Sequence, residues 1–358
     1  MAPGNDNICY QMFKHMKPSP QVVLQLFNRY WCSGELPPSW KHSIVLPFPK
    51  SHEPSHLPSS RRPTSLTSHV CKIMEKMVGQ RLKWYLEYHS LLDINQSVFR
   101  ARRITMDHIV RLHDAVQQAL ANKHNVLAVF IDIENAYDMV NKTVLLSKLL
   151  ALDITGEMLR FIQSFLSRRT LQIRVGSSLS SIKESANGAP QGSLLGPLLF
   201  SVMINDVSRH VFSSSALYAD DFCFWESGSD IQLLEARCQE SLSKVATWCI
   251  NSGFCISPSK SAAVLFSRKR KPPTVRLALT NVLIPSKRDY KDLGITFQSN
   301  GLYTTHKQNV VAKCHKRLNM MMFSRGTSRG QANPPPHHLQ MSRAIGLGIR
   351  HGGVFFLC

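Results

Sequence analysis

The run Val126-Leu127-Ala128-Val129-Phe130-Ile131 is apolar at every position and closes on Asp132. A strand with one face in water alternates apolar and polar residues. A run without alternation therefore predicts a strand covered on both faces. Helical spacing surrounds it. Ile109, Leu112, Val116 and Leu120 recur every three to four residues between Thr105 and Ala121, and Leu145, Leu146, Leu149 and Leu150, then Met158, Phe161, Ile162 and Phe165, follow it. The pattern predicts an α+β domain in which the strand is sheltered by helices.

Further along, Ala216-Leu217-Tyr218 and Phe222-Cys223-Phe224-Trp225 flank the acidic pair Asp220-Asp221, which reads as a hairpin with its charge at the tip. A helix follows. Ile231, Leu234, Cys238, Leu242, Val245 and Cys249 make its buried stripe, Ser229 with Gln232 its capping box, and Gly253 its end. Leu171, Ile173 and Val175 alternate as a half-exposed strand, Ala263 to Phe266 reads as another strand, and Ser65 to Leu92 reads as helical. Residues 20 to 62 carry many prolines and read as a basic, irregular lobe around a short strand at Ser43 to Leu46.

Composition decides what such a fold would meet. Lys and Arg total 43 against 23 Asp and Glu, a net charge of +20, so the expected partner is polyanionic: nucleic acid first, an anionic membrane surface second. The 43% hydrophobic content excludes global disorder, and 358 residues suffice for one enzyme-sized domain or two to three small ones. Nine cysteines without any CxxC pair read as reduced intracellular thiols. The first residues contain no apolar core of a signal peptide, and the longest apolar stretch, Leu194 to Ile204, is broken by Gly196 and Pro197, so no membrane span is expected.

Against that basic trend, Asp132 ends a strand and Asp220 tips a hairpin. A sheet pairing the two strands would bring hard oxygen ligands together, a set that suits two Mg²⁺ or Mn²⁺ ions. Taken singly, each element reads more readily as a strand-end turn or a solvated hairpin tip than as a metal ligand.

Three segments together change that weighting. Phe130-Ile-Asp-Ile-Glu-Asn-Ala-Tyr-Asp138, Gly188-Ala-Pro-Gln-Gly-Ser-Leu-Leu-Gly-Pro-Leu-Leu-Phe200 and Tyr218-Ala-Asp-Asp221 resemble, in order and spacing, motifs A, B and C of reverse transcriptases. The B segment is most similar to that of non-LTR, LINE-type retrotransposon polyproteins. The likeness runs along nearly the whole chain, through Gly34 to Trp40, Arg62 to Leu66, Lys72 to Lys76, a motif D at Ile256 to Lys260, and a motif E and thumb beginning at Asp292-Leu-Gly294. Group II intron maturases and telomerase-like polymerases share the acids but not the Ser-Leu-Leu-Gly-Pro-Leu-Leu-Phe continuation.

The resemblance implies a right-hand polymerase fold. Residues 1–125 would form an N-terminal segment and fingers, 126–275 the palm with an antiparallel sheet packed on helices, 276–330 motif E and a partial thumb, and 331–358 a truncated tail. It implies RNA-directed DNA polymerase activity, with an RNA template, a DNA primer and dNTPs as partners and two Mg²⁺ (or Mn²⁺) ions as cofactors. Action would be inside the cell, in the nucleus or the cytoplasm, with the nucleus preferred. By motif, Asp132 and Asp220 would be the principal metal ligands, Asp221 the supporting acid and the Ile133 carbonyl a further ligand. Tyr137 would exclude the ribose 2′-OH, Gln191 and Gly192 line the nucleotide pocket, Arg62 and Lys50 bind the triphosphate, and Lys260 give a proton to pyrophosphate. Arg268 to Lys271 and Lys307 to Arg317 would follow the nucleic-acid backbone. Several positions depart from the family's usual pattern: Val98 where glycine is common, Arg102-Arg103-Ile104-Thr105 for Gly-Arg-Ser-Thr, and Arg329-Gly330 for a thumb Trp-Gly. A catalytically silent nucleic-acid-binding remnant is the alternative reading.

Overall fold

The computed structural model describes residues 4–15, 20–49, 60–100, 102–190, 192–212 and 214–326. Lys50, Gln191 and the 331–358 tail lie outside the described residues, and for Arg62 the backbone alone is described. The chain divides into two compact units, one ending at Tyr303 and the other beginning at Thr304.

The first unit opens with α1 (Tyr10–His15), α2 (Pro20–Ser33) and α3 (Pro38–Lys41). Helix α2 corrects the expectation of an irregular lobe. Pro20 and Pro38 each stand at a first helical position, where a missing N–H breaks no hydrogen bond and the fixed φ favours the turn. Phe27 and Tyr30 of α2 meet the buried Trp40 edge-on, Tyr30 at 5.0 Å. Strand β1 (His42–Pro49) pairs antiparallel with β2 (Arg61–Leu66), which the sequence pattern hid behind Pro63. Pro63 is tolerated because β2 is an edge strand. Its register partner Pro47 lies beyond Val45, the last residue of β1 that pairs on the other side with β4 (Thr170–Val175).

Two long helices come next, α4 (His69–Tyr88), capped by Ser68, whose hydroxyl accepts the Cys71 N–H, and α5 (Thr105–Ala121). Between β3 (Asn125–Asp132) and β4 stand α6 (Ala136–Met139), α7 (Lys142–Ala151) and α8 (Gly156–Leu166). The short β5 (Ser178–Leu179) and β6 (Lys183–Glu184) lead to α9 (Gly196–Ile204), then to the hairpin β7 (Ser214–Tyr218) and β8 (Asp221–Gly228). The unit closes with α10 (Ile231–Ser252), β9 (Ala262–Phe266) and two small hairpins, β10 (Ala278–Leu279) with β11 (Val282–Leu283) and β12 (Asp289–Asp292) with β13 (Ile295–Gln298).

The sheet that matters for function is antiparallel, in the order β7-β8-β3-β9. Its central strand explains the unalternating run. Leu127, Val129 and Ile131 enter a core shared with α10, while Val126, Ala128 and Phe130 enter a second core shared with α5 and the β12–β13 hairpin. Full burial of each larger side chain contributes about 1.5–3 kcal/mol, so this strand is anchored from both sides. The stripe along α10 is buried as expected, and Gly253 ends the helix at φ +78°. The capping expectation is corrected by one residue: Asp230, not Ser229, stands at the N-cap, and its carboxylate accepts the Gln232 N–H at 2.9 Å. Either residue type can cap; the helix register selects the second.

The second unit contains α11 (Thr304–Gly326), with Lys307, Lys313, His315, Lys316 and Arg317 along it. Among the described residues, no helix is long and apolar enough to cross a membrane.

Candidate active site

The antiparallel ladder between β3 and β8 ends with Asp132 opposite Asp221. Directly opposed residues project to the same face, so these two carboxylates lie together at the edge of the sheet. The β7–β8 hairpin closes between Tyr218 and Asp221 with a loop of Ala219 and Asp220. Asp220 thus belongs to the loop, and Asp221 to the first position of β8. Ala219 has φ +56°, a left-handed conformation that a residue with a Cβ adopts at a cost of about 1–2 kcal/mol. Strain of this kind is characteristic of backbone held in place for a function.

A second segment is bound to the end of β3. The Asp132 N–H donates to the buried Ser261 hydroxyl at 3.1 Å, the Ser257 N–H donates to the Asp132 carbonyl at 2.9 Å, and the Glu134 N–H donates to the Cys255 carbonyl at 2.9 Å. These bonds use groups on either side of Ile133 and not its own carbonyl. The same segment carries Lys260, whose Nζ is 4.0 Å from Asp132 Oδ2. With side chains 67% and 39% exposed, this pair contributes little to stability, but it sets a proton-bearing ammonium beside the acid.

The electrostatics report a shortage of positive charge. Burial, opposed by Lys260 and reinforced by Asp220 and Glu134, raises the Asp132 carboxyl above its usual range. Asp221 is pushed up to about 7, by burial first and then by Asp292, Asp220 and Asp132, with His108 opposing. Its outer surface still meets solvent, while protein and like charges crowd the rest. Among the described residues no group of three His, Cys, Asp or Glu side chains forms a ready-made metal cage. The residues nevertheless fit a divalent cation. They are hard oxygen donors, mutually repelling and short of countercharge, the set Mg²⁺ and Mn²⁺ favour.

Tyr137 lies on α6, which begins after Asn135 at φ +44°. Its ring stacks on Phe200 of α9 at 4.3 Å, and burial, with Asp220 nearby, pushes its phenol up to about 12, so the hydroxyl stays neutral. The Ala189 N–H donates to the Tyr137 carbonyl at 3.0 Å and the Gly188 N–H to the Val140 carbonyl at 2.9 Å. The turn after β3 and the segment leading to Gly192 are therefore one hydrogen-bonded piece. Gly192 has φ +108°, and a Cβ there would lie 2.7 Å from the Ser65 carbonyl oxygen of β2. Only glycine permits both the conformation and the approach.

The structure thus gathers Asp132, Asp220, Asp221, Lys260 and Tyr137 around the end of β3, and sets Gly192 against the strand that carries Arg62. Sequence reasoning missed Ser261 and the buried pair of His108 Nε2 and Asp292 Oδ2, 3.0 Å apart. No local pattern announces them, because each meets its partner only through the tertiary fold.

A palm of this kind, acids on facing strand ends of an antiparallel sheet backed by helices, defines a right-hand polymerase, and the solved structures similar to this one have that fold. They include apo telomerase from Candida tropicalis truncated from its C-terminal domain (TM-score 0.52, 10% identity, 78% of this chain and 59% of that one). Another is telomerase from Candida tropicalis in complex with a TWJ fragment of telomeric RNA (TM-score 0.52, 11% identity, 79% and 47%).

Residues 48–297 match the reverse transcriptase (RNA-dependent DNA polymerase) family, and the chain belongs to it. It is 29% identical over 332 residues to a probable RNA-directed DNA polymerase from transposon BS of Drosophila melanogaster, covering 90% of this chain and 36% of that protein. It is 30% identical over 318 residues to the RNA-directed DNA polymerase from the mobile element jockey of Drosophila melanogaster (86% and 34%), and 28% identical to the X-element polymerase of the same fly (88% and 35%). These relatives are non-LTR retrotransposon polymerases, and the chain spans about a third of their length.

Proposed function

We propose that this chain is the polymerase portion of a non-LTR retrotransposon protein, extending a DNA primer 3′-OH with dNTPs on an RNA template and releasing pyrophosphate. The observation that carries the reading is the convergence of Asp132 with the Asp220–Asp221 hairpin tip beside Tyr137, inside a family match covering most of the chain. In this reading residues 1–125 act as fingers, 126–275 as palm and 276–330 as the start of a thumb.

Asp132 and Asp220 would hold two Mg²⁺ (or Mn²⁺) ions, with the Ile133 carbonyl and Asp221 completing or supporting the set. Bound there, the ions supply the charge neutralisation that in-line phosphoryl transfer requires. The protein's own groups do the rest. Tyr137, fixed by Phe200 and neutral, occupies the volume a ribose 2′-OH would need and so selects dNTPs. Gly192 lets backbone approach the nucleotide, with Gln191 beside it. Arg62 and Lys50 grip the triphosphate, Arg through its planar fork and Lys as a point charge. Lys260, held near Asp132, bears the proton that departing pyrophosphate takes up. The basic residues at 268–271, all exposed, contact the phosphate backbone without reading sequence, and the reaction takes place in the nucleus.

Primer extension on an RNA template with dNTPs and Mg²⁺ tests this, with Asp220→Ala as the contamination control. Extension by the parent alone supports the reading. A folded parent that grips primer-template without extending it would make the chain a silent remnant.

A further inference from the structure

Among the described residues, one of the most deeply buried carboxylates has no part in the chemistry above. Glu75, on α4, is 1% exposed. Its Oε2 accepts the N–H of Leu194 at 2.7 Å and of Leu195 at 3.2 Å, and its Oε1 accepts the Cys71 thiol at 3.5 Å. Burial and the Glu75 charge hold that thiol well above its ordinary range, so it remains a donor. The buried Arg169, bonded to the Phe165 carbonyl and the Ser43 hydroxyl, sits close enough to offset part of the carboxylate's charge.

Leu195 is the N-cap of α9 and Leu194 the residue before it, at the helix entry where amides lack acceptors within the helix. Here each amide from 193 to 196 is taken: Ser193 N–H by the Pro190 carbonyl at 3.1 Å, Leu194 and Leu195 by Glu75, and Gly196 N–H by the Ser193 hydroxyl at 2.7 Å. Upstream, Gly192 is seated on the Ser65 carbonyl. Gly192 therefore lies between its seat on β2 and, two to three residues further on, a charged clamp from α4. Charge-assisted hydrogen bonds are about twice as strong as neutral ones, which suits a clamp that must fix a loop's height rather than merely close a helix.

We infer that Glu75 is a positioning residue for the nucleotide pocket: by holding the entry to α9 at Leu194 and Leu195 it sets Gly192 against the incoming dNTP, without touching substrate. The inference rests on the reading of Gly192 as part of the dNTP pocket. It is tested with Glu75→Gln, which keeps the shape and one neutral acceptor, and Glu75→Ala, by two readouts. In steady-state extension, E75Q raises the dNTP KM about 5-fold and E75A further, while kcat and primer-template affinity stay within about 2-fold. In amide hydrogen exchange, Leu194 and Leu195 exchange about 10-fold faster in E75Q, whereas Val126 to Ile131 in the central strand are unchanged. If E75A fails to fold, E75Q carries both readouts. Unchanged exchange at Leu194 and Leu195 in E75Q overturns the clamp, as does a loss confined to kcat or to primer-template binding. A parent that extends no primer refutes the polymerase reading and with it the dNTP role assigned to Glu75, while the exchange measurement still decides whether the clamp exists.

Discussion

Gly192→Ala is the substitution whose effect follows most directly from the geometry. The added Cβ would lie 2.7 Å from the Ser65 carbonyl oxygen, and ordinary contact begins at about 3.4 Å, so either β2 or the turn must give way by several tenths of an ångström. The obstacle is backbone, which cannot swing aside as a side chain would. The residue also has φ +108°, which L side chains rarely adopt and which costs about 1–3 kcal/mol when forced. Since a displacement of about 1 Å in a positioned active site can cost ~100-fold in rate, kcat/KM for dNTP should fall about 10- to 100-fold. Unfolding free energy should fall by about 1–3 kcal/mol. Gly176→Ala is the control: φ is +61° there, but nothing lies within 4 Å of the added Cβ, so it should cost about 1–2 kcal/mol from backbone conformation alone and leave extension intact. Single-nucleotide incorporation and urea unfolding measure both. A Gly192→Ala protein with the parent's KM and stability would refute the steric argument.

Other expectations follow from single residues. Ile104 occupies the α5 N-cap with extended backbone and 60% exposure, and its side chain offers no acceptor, so Ile104→Ser should stabilise the protein by about 0.5–1 kcal/mol in urea unfolding; no gain would mean those amides are already satisfied. Without metal, the raised Asp221 carboxyl binds its proton more tightly folded than unfolded, so its contribution to stability is present at low pH and is lost as pH rises from about 3.8 to about 7. Asp221→Asn should remove that slope, and Mg²⁺ should raise the parent's melting temperature more at pH 8 than at pH 5, since protons compete for the same oxygens; equal shifts at both pH values would argue against metal binding there. Replacing Arg268, Lys269, Arg270 and Lys271 with serine should flatten the slope of log affinity against log salt for primer-template by roughly 2 to 3 units, and an unchanged slope would remove these residues from the interface. Tyr137→Ala should reduce discrimination against ribonucleotides at least about 10-fold, whereas unaltered discrimination would leave the ring as core packing only.

What could be read from the sequence was what is written locally. The strand Val126 to Ile131 announced its two-sided burial because both its faces are apolar, and the α10 stripe announced its helix through spacing alone. The acids were legible because strand ends and a hairpin tip are local features and because three motifs fell in order. Strand β2 was not legible, since an Arg-Arg-Pro-Thr-Ser-Leu segment becomes a strand only when β1 offers it an edge. Glu75, Ser261 and the His108–Asp292 pair were hidden for a related reason. Their partners lie 119, 129 and 184 residues away, and no periodicity encodes such meetings.

The account separates grip from chemistry: a basic surface that holds nucleic acid, and a few carboxylates that perform the transfer. Single-turnover incorporation of one dNTP by the parent, Asp132→Asn and Asp220→Asn, measured beside their primer-template affinities, tests that separation most directly. The account predicts Mg²⁺-dependent incorporation by the parent and its loss by at least about 1,000-fold in either variant, with affinity retained within a few-fold. Incorporation that survives in either variant, or that disappears only because the nucleic acid no longer binds, would contradict it.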